Sequence, residues 1–259
     1  MIRLFFGLTL ALLLAGCGGG TDTQAPPPPV TIDPALYLTL ETGTLPIVIS
    51  APHGGTTDLP GVPVRTSGTT VLDTNTYELA LAIQQHLVAL TGHRAHLIAA
   101  KASRKYVDFN RSASEAYQSA NVAPLYQAYQ NALVSAVALA GTSERALLVD
   151  VHGQSLDIHV VFRGTRDGQT ADLPMLYTSG RFLERLVTSG MALNPTTAAG
   201  TESPDFNGGY IVATYGKSNA SGINNVQLEF GYDFRATPAD LEATATAVAT
   251  AVVAHLQGL

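Results

Sequence analysis

The sequence has little cysteine and little charge. Cys17 is the only cysteine among the 259 residues, so an intramolecular disulfide and a thiolate metal cluster are excluded. A metal bound to this chain would have to be held by His and carboxylate side chains. The 14 Lys and Arg residues against 20 Asp and Glu residues give a net charge of −6. Because no run of basic residues occurs, we exclude nucleic acid as a partner.

The N-terminal apolar stretch is too short to span a membrane. It runs from Leu4 to Ala15 after a single charge, Arg3, whereas a spanning helix needs about 20 residues. The stretch ends in Leu14-Ala15-Gly16-Cys17, which resembles the lipobox of bacterial lipoproteins. We therefore predict a signal peptide at residues 1–16 and lipidation of Cys17. An ordinary cleaved signal peptide with a chance cysteine is the alternative.

The residues after Cys17 have the composition of a tether. Gly18-Gly19-Gly20 is followed by Pro26-Pro27-Pro28-Pro29, and such a segment cannot pack a core. We predict a tether at residues 17–33 and an exported protein whose lipid anchor binds the membrane of the cell envelope. Gly18 replaces the Asp that marks inner-membrane retention, which favours the outer membrane.

Residues 34–259 have the composition of one folded domain, since 46% of the chain is hydrophobic. Apolar runs and turn residues predict strands at Leu36–Leu40, Pro46–Ser50, His96–Ala100, Ala146–Val151, Asp157–Arg163, Tyr210–Tyr215 and Val226–Phe230. Helical spacing predicts helices at Val71–Leu90, Leu173–Ser189 and Pro238–Gln257, and one long or two short helices within Ser114–Leu139. This alternation predicts a three-layer α/β domain, with a mixed, largely parallel sheet covered by helices on both faces.

Two histidines follow predicted strands in the same pattern. His53 and His152 each come after an apolar strand and before a Gly, and ligands collect at the carboxyl ends of strands in such sheets. Asp150 shares a strand face with His152 and could orient its ring. A hydrolytic zinc site takes three protein ligands from His and carboxylate side chains, so these two His residues and one acid could form one, although a buried, hydrogen-bonded His is the alternative for each residue alone. For His86, His93, His96 and His255 we expect solvated positions.

Six ordered segments resemble motifs of the N-formylglutamate amidohydrolase family, and they extend from about Ile47 to Arg235. They are Pro52-His53-Gly54-Gly55-Thr56, Asp73-Thr74-Asn75-Thr76 with Glu78-Leu79-Ala80, Arg104 with Val107-Asp108-Phe109-Asn110-Arg111, Asp150-Val151-His152-Gly153, Gly208-Gly209-Tyr210, and Gln227-Leu228-Glu229. That family is similar in fold to the zinc carboxypeptidases. The resemblance therefore implies a carboxypeptidase-like (phosphorylase/hydrolase-like) fold.

The resemblance also implies a metal site. One zinc ion would be held by His53, Asp73 and His152. Asp73 could instead cap the helix that follows it. The carboxypeptidase pattern places an acid three residues after the first His, where this chain has Thr56, so Asp58 is the alternative acid ligand.

The remaining motifs are assigned to catalysis and substrate binding by the same resemblance. Glu229 would take a proton from water and pass it to the leaving amine. Arg104 would polarise the scissile carbonyl, while Asn110 and Arg111 would bind a substrate carboxylate. Tyr210 is a weaker candidate for substrate contact. Asp108 could simply pair with one of the arginines.

The predicted reaction is zinc-dependent hydrolysis of an amide bond beside a free carboxylate. The substrate would be a small N-acyl amino acid or a peptide, hydrolysed in the cell envelope. An envelope zinc carboxypeptidase, a peptidoglycan amidase and a non-catalytic lipoprotein that binds a carboxylate ligand are the alternatives. A serine hydrolase is disfavoured because no Gly-x-Ser-x-Gly motif occurs.

Overall fold

A computed structural model describes residues 31–258. The predicted signal peptide, Cys17 and all but the last residues of the tether lie outside this range, so they stay predictions. Within the described range, no helix has the length and apolar content that crossing a membrane requires.

Seven strands form one mixed sheet in the described part of the chain. They are β1 (Leu38–Glu41), β2 (Ile47–Ala51), β3 (His96–Ala100), β4 (Leu147–Gly153), β5 (Val161–Gly164), β6 (Leu193–Asn194) and β7 (Asn224–Phe230). Their order in the sheet is β1-β3-β2-β4-β7-β5-β6. The central strands β3, β2, β4 and β7 are parallel, and β1 and β5 are antiparallel to their neighbours β3 and β7. The prediction of a mixed, largely parallel sheet is confirmed.

Helices cover both faces of the sheet. They are α1 (Pro34–Tyr37), α2 (Thr76–Thr91), α3 (Ala113–Ala116), α4 (Ala123–Ala140), α5 (Leu173–Leu176), α6 (Phe182–Thr188), α7 (Tyr210–Tyr215) and α8 (Pro238–Gln257). Helix α2 ends at Gly92, whose φ of 74° is the left-handed conformation favoured by glycine. Helix α8 begins with a capping box between Thr237 and Asp240, with Pro238 at its first position as predicted.

Alternating residues of the strands enter two separate cores. Along β2, Ile47 and Ile49 belong to a core shared with α2, α6 and α8, whereas Val48 belongs to a core shared with α4. This alternation follows from the two-residue period of a strand. Both faces of the central strands are therefore buried, and the three-layer architecture predicted from the sequence is confirmed.

The predicted strand at Tyr210–Tyr215 is wrong, because this segment forms helix α7. Its β-branched and aromatic residues favour a strand locally. However, the buried positions Ile211, Val212 and Tyr215 have the spacing of one helix face. Tertiary packing against the core that contains α4 therefore overrides the local strand propensity.

Other elements differ from the prediction in extent. The helix predicted at Leu173–Ser189 is two short helices, α5 and α6, because Gly180 between them has a φ of 82°. The strand predicted at Asp157–Arg163 begins only at Val161. The residues before Val161 form a turn beside the site. The strand predicted at Leu36–Leu40 begins only at Leu38, after the short helix α1.

Two of the histidines expected to be solvated are buried. His96 accepts a hydrogen bond at Nδ1 from the backbone N–H of Gly43, at 3.2 Å. His255, on the inner face of α8, has no hydrogen-bond partner for either ring nitrogen within the described residues. Burial, together with the nearby charge of Arg181, lowers the pKa of His255 from 6.5 to about 4.

The buried ring of His255 makes stability depend on pH. Because its pKa of about 4 lies below the value of 6.5 expected when the chain is unfolded, the unfolded state binds the proton first as the pH falls. The free energy of unfolding should drop between pH 6.5 and pH 4, by about 3 kcal/mol from this group. We expect His255→Leu to remove this part of the pH dependence in denaturant titrations. His93→Leu, at an exposed His, is the control, and parallel curves for wild type and His255→Leu would contradict the prediction.

Candidate metal site

The site is assembled at the carboxyl ends of three neighbouring parallel strands. His53 follows β2, while the β4 and β7 register pairs His152 directly with Glu229. The backbone N–H of Asp73 donates to the carbonyl of His53 at 3.2 Å, which ties the start of α2 to the end of β2. A side chain at Gly54 would collide with the backbone nitrogen of Tyr77 on α2. The glycine after His53 is therefore required by this close approach.

His53, Asp73 and His152 form a tight triad of potential ligands. His53 Nδ1 lies 3.1 Å from His152 Nδ1 and 3.3 Å from Asp73 Oδ2, and His152 Nδ1 lies 3.4 Å from the same oxygen. Tetrahedral zinc, with bonds of about 2.0–2.1 Å, has neighbouring ligand atoms about 3.3 Å apart. The triad therefore matches the spacing of three ligands of a single zinc ion.

The outer nitrogen of each imidazole is bound to a buried carboxylate. His53 Nε2 lies 2.7 Å from Asp108 Oδ1, and His152 Nε2 lies 2.9 Å from Asp150 Oδ2. A proton held on each Nε2 leaves the Nδ1 lone pairs directed at the centre of the triad, which is the usual arrangement around ligating histidines. The donor set therefore fits zinc in chemistry as well as in spacing, and the contact expected between Asp150 and His152 is present.

Asp73 contributes its carboxylate to the triad and does not cap helix α2. Asn75 is the N-cap residue of α2, without a side-chain cap hydrogen bond. Asp73 Oδ2 accepts from the backbone N–H of Gly153 at 3.2 Å, while Oδ1 accepts from Arg104 at 3.3 Å. The alternative ligand Asp58 is exposed and lies outside the triad, as does Thr56. The acid of the triad is thus Asp73.

Charges within the site shift the pKa values of its members. Burial raises the pKa of Asp73, but the two histidines more than reverse this and hold it well below 3.8. Burial lowers the pKa of His152, but Asp150 and Asp73 raise it well above 6.5. The pKa of Asp108 is lowered despite its burial, because His53 and Arg104 lie against it. The triad is therefore a place where positive charge is stabilised.

Glu229 is buried beside the triad. Its Oε1 atom lies 3.9 Å from His152 Nδ1 and accepts a hydrogen bond from Gln227 Nε2 at 2.8 Å. Burial raises the pKa of Glu229 to about 7, and the charge of Asp73 acts in the same direction. A carboxyl group in this position can both accept and return a proton near neutral pH.

Arg104 and Asn110, which were expected to act on the substrate, are held by other groups of the protein. Arg104 donates to Asp108 from Nε at 3.0 Å and also bonds Asp73, so its guanidinium is occupied by carboxylates of the protein. Asn110 accepts the N–H of Ile211 at its side-chain Oδ1, at 2.7 Å, and donates its backbone N–H to Asp108 Oδ1 at 3.0 Å. Arg104 and Asn110 therefore hold neighbouring residues of the site in place.

Arg111 is the arginine that remains available to a ligand. It is half-buried, and its guanidinium makes one hydrogen bond among the described residues, from Nη1 to the carbonyl of Asn110 at 2.8 Å. Tyr210 instead lies at the start of α7 beside Tyr126, outside the residues that line the cavity. Of these predicted contacts, Arg111 alone presents a free charge.

One cavity of about 900 Å³ connects these groups. Its lining includes His53, Asp73, Arg104, Asn110, Arg111, His152, Glu229 and Arg235. Cavities of this size accommodate small organic ligands. The triad, Glu229 and Arg111 therefore face the same space.

Arg235 is a site residue that the sequence did not reveal. Its guanidinium donates from Nε to the carbonyl of Phe230 at 3.1 Å, from Nη2 to that of Gln154 at 3.1 Å, and from Nη1 to that of Thr74. These carbonyls lie within two residues of Glu229, His152 and Asp73, respectively. A side chain at Gly153 would collide with the same guanidinium. Arg235 thus joins the three chain segments that supply the site.

Removing the guanidinium of Arg235 should loosen the triad. We expect Arg235→Met to weaken zinc binding about 10- to 100-fold, the range found when groups that orient ligands are removed. Chelator competition well below the unfolding temperature would measure this, and cobalt absorption spectra would report the ligand geometry. Arg181→Met removes an equally buried arginine away from the site and is the control. Equal zinc affinities in the two variants would show that Arg235 does not position the ligands.

Comparison with known proteins identifies the fold. No protein-family model and no curated protein matches the chain. Among solved structures, the N-formylglutamate amidohydrolase of Ralstonia eutropha JMP134 is 18% identical, with a TM-score of 0.62 over 86% of this chain and 99% of that one. A gene product of Agrobacterium tumefaciens is 16% identical, with a TM-score of 0.56 over 86% of this chain and 95% of that one. The chain therefore has the fold of the N-formylglutamate amidohydrolase structure, as its ordered motifs predicted.

Proposed function

We propose that this protein is a zinc-dependent amidohydrolase that cleaves an amide bond beside a free carboxylate. The observation that carries this proposal is the presence of a zinc-compatible triad, a buried proton acceptor and a free arginine in one cavity. The similarity in fold to an N-formylglutamate amidohydrolase supports it. The substrate class is a small N-acyl amino acid or peptide.

His53, Asp73 and His152 would hold the zinc ion through Nδ1, Oδ2 and Nδ1. Zinc bound by three protein ligands supplies a fourth position at which a water is acidified and a carbonyl is polarised. Asp108 and Asp150 keep the two imidazoles in the tautomer that binds a cation. Arg104 holds the Asp73 carboxylate in place, so the role we assign to it here is positioning.

Glu229 would act as the general base and then as the general acid of the reaction. Its carboxylate takes a proton from the attacking water and delivers it to the amide nitrogen as the carbon–nitrogen bond breaks. The contact of 3.9 Å between Oε1 and His152 Nδ1 places this carboxylate at the edge of the triad. The hydrogen bond from Gln227 fixes its orientation.

Arg111 would bind the substrate carboxylate. A planar guanidinium suits bidentate recognition of a carboxylate, and Arg111 has no carboxylate partner within 4.0 Å among residues 31–258. Binding there would fix the substrate with its amide over the triad. We further propose that the reaction takes place in the cell envelope, because the N-terminal sequence resembles a lipoprotein signal peptide that is followed by Cys17.

The exchange Glu229→Gln tests the catalytic assignment. We expect it to lower kcat at least about 100-fold, because the amide cannot accept the proton, while stoichiometric zinc is retained. Amine release from N-acyl amino acids and metal analysis of the purified protein measure the two effects. Glu78→Gln, at an exposed position on α2, is the control. Full activity in Glu229→Gln, or a wild-type protein that fails to bind zinc, would refute the proposed function.

The exchange Arg111→Met tests the recognition of the carboxylate. We expect KM for an N-acyl amino acid to rise about 10- to 100-fold, since a charged hydrogen bond is lost. For the matching N-acyl amino acid amide, which has no carboxylate, the same exchange should change KM little. Steady-state kinetics on both substrates give this comparison, with exposed Arg145→Met as the control. An equal rise in KM for both substrates would argue against a carboxylate site at Arg111.

A further inference from the structure

Exposed apolar side chains concentrate at the cavity. The described part of the chain has ten large hydrophobic residues that are exposed, and four of them line this one cavity. These four are Val71, Leu156, Ile158 and Tyr232. Single exposed apolar residues are ordinary, but a group of them around a pocket indicates a binding surface.

Leu156, Ile158 and Tyr232 lie on two adjoining turns that line the cavity, and we call these three residues the apolar wall. The turn after β4 carries the first two, the turn after β7 carries Tyr232, and the N–H of Asp233 joins these turns by donating to the carbonyl of Ile158 at 3.1 Å. Leu156 is 67% exposed and Tyr232 is 44% exposed. All three residues lie outside both hydrophobic cores, so packing of the fold does not explain them.

Arg111 belongs to a different wall of the cavity. It follows Asn110, whose side chain accepts from the N–H of Ile211 and is covered by Gly209. The apolar wall instead adjoins Arg235, whose guanidinium carbon lies 5.5 Å from the ring centroid of Tyr232. The cavity therefore offers a cationic wall and an apolar wall, with the triad and Glu229 in the same space.

These two walls distinguish the two ends of an N-acyl amino acid. Resting on the proposed function, we propose that the apolar wall binds the acyl group and that the preferred substrates carry aliphatic chains of several carbons or aromatic acyl groups. With the carboxylate on Arg111 and the amide at the triad, the acyl group extends from the side of the amide opposite Arg111, whereas the amino-acid side chain is attached beside the carboxylate. A formyl group, with its single carbon, would leave the wall exposed to water in the complex.

The chemistry of the step is the same for every acyl group. Water adds its oxygen to the carbonyl carbon, the carbon–nitrogen bond breaks, and a proton passes through Glu229 to the nitrogen. The products are a carboxylic acid and an amino acid, and no oxidation or reduction occurs. From acetyl to octanoyl the carbonyl always bears an alkyl group, so chain length acts through binding, and each fully buried methylene strengthens binding about fourfold.

A panel of acyl groups tests this inference on the full-length chain supplied with zinc. N-formyl, N-acetyl, N-butyryl, N-octanoyl and N-benzoyl derivatives of L-alanine and of L-glutamate would be compared by amine release. We expect kcat/KM to rise at least about tenfold from acetyl to octanoyl, in line with burial of a few methylenes. Equal or falling kcat/KM along the series would overturn the inference while leaving the proposed function intact.

Substitutions in the apolar wall test whether it causes the preference for long acyl groups. In the double variant Leu156→Ser and Ile158→Ser, the ratio of kcat/KM for octanoyl and acetyl substrates should fall about tenfold. Leu139→Ser, at a residue that is 63% exposed on α4 and away from the cavity, is the matched control and should keep the ratio. An unchanged ratio in the double variant would overturn the assignment to this wall.

Calorimetric binding separates this inference from the proposed function. If none of the panel is hydrolysed, the proposed function fails, but N-octanoyl-L-glutamate should still bind at least about tenfold more tightly than N-acetyl-L-glutamate. The double variant should lose that difference. If the two compounds bind equally to the wild-type protein, the apolar wall does not recognise acyl groups.

Discussion

The site depends on two histidine rings that direct the same nitrogen, Nδ1, at one point. Each ring is held by a buried carboxylate on its other nitrogen, Asp108 for His53 and Asp150 for His152. These carboxylates fix the tautomer, since a proton on each Nε2 leaves each Nδ1 free to accept a cation. Rotation of either ring, or a shift of its proton from Nε2 to Nδ1, would remove a nitrogen lone pair from the triad with Asp73. The local preference for a cation is therefore a property of the hydrogen-bonded shell around the ligands.

The register of the strands brings the side chains of the site close together. Parallel pairing places His152 directly beside Glu229, and helices bury both faces of β4 and β7, so the distance between these side chains is held by the core. Loops alone would not fix the remaining segments to the same accuracy. Arg235 bonds the backbone next to the start of α2 and the ends of β4 and β7, which extends the order of the sheet into the loops.

How far the sequence predicts this site depends on the kind of signal each residue carries. His53 and His152 are recognisable because a strand, a His and a Gly recur, and Asp150 follows from strand alternation. Arg235 has no such signal, because its partners are backbone carbonyls that any sequence supplies. Tyr210–Tyr215 was predicted as a strand because packing, which overrides its local propensity, is invisible in the sequence.

The charges of the buried side chains explain why a divalent cation suits the site. Four buried carboxylates lie in or beside the triad: Asp73 belongs to it, and Asp108, Asp150 and Glu229 lie next to it. The buried guanidinium groups of Arg104 and Arg235 supply two positive charges, so −4 + 2 leaves a formal charge of −2. Buried charge must be compensated, either by two protons or by one doubly charged ion, so a metal ion that binds here would release protons. Arg111, on the half-buried cavity wall, is not one of these buried groups, but its charge also lowers the pKa of Asp108, and in the proposed complex the carboxylate of the substrate neutralises it.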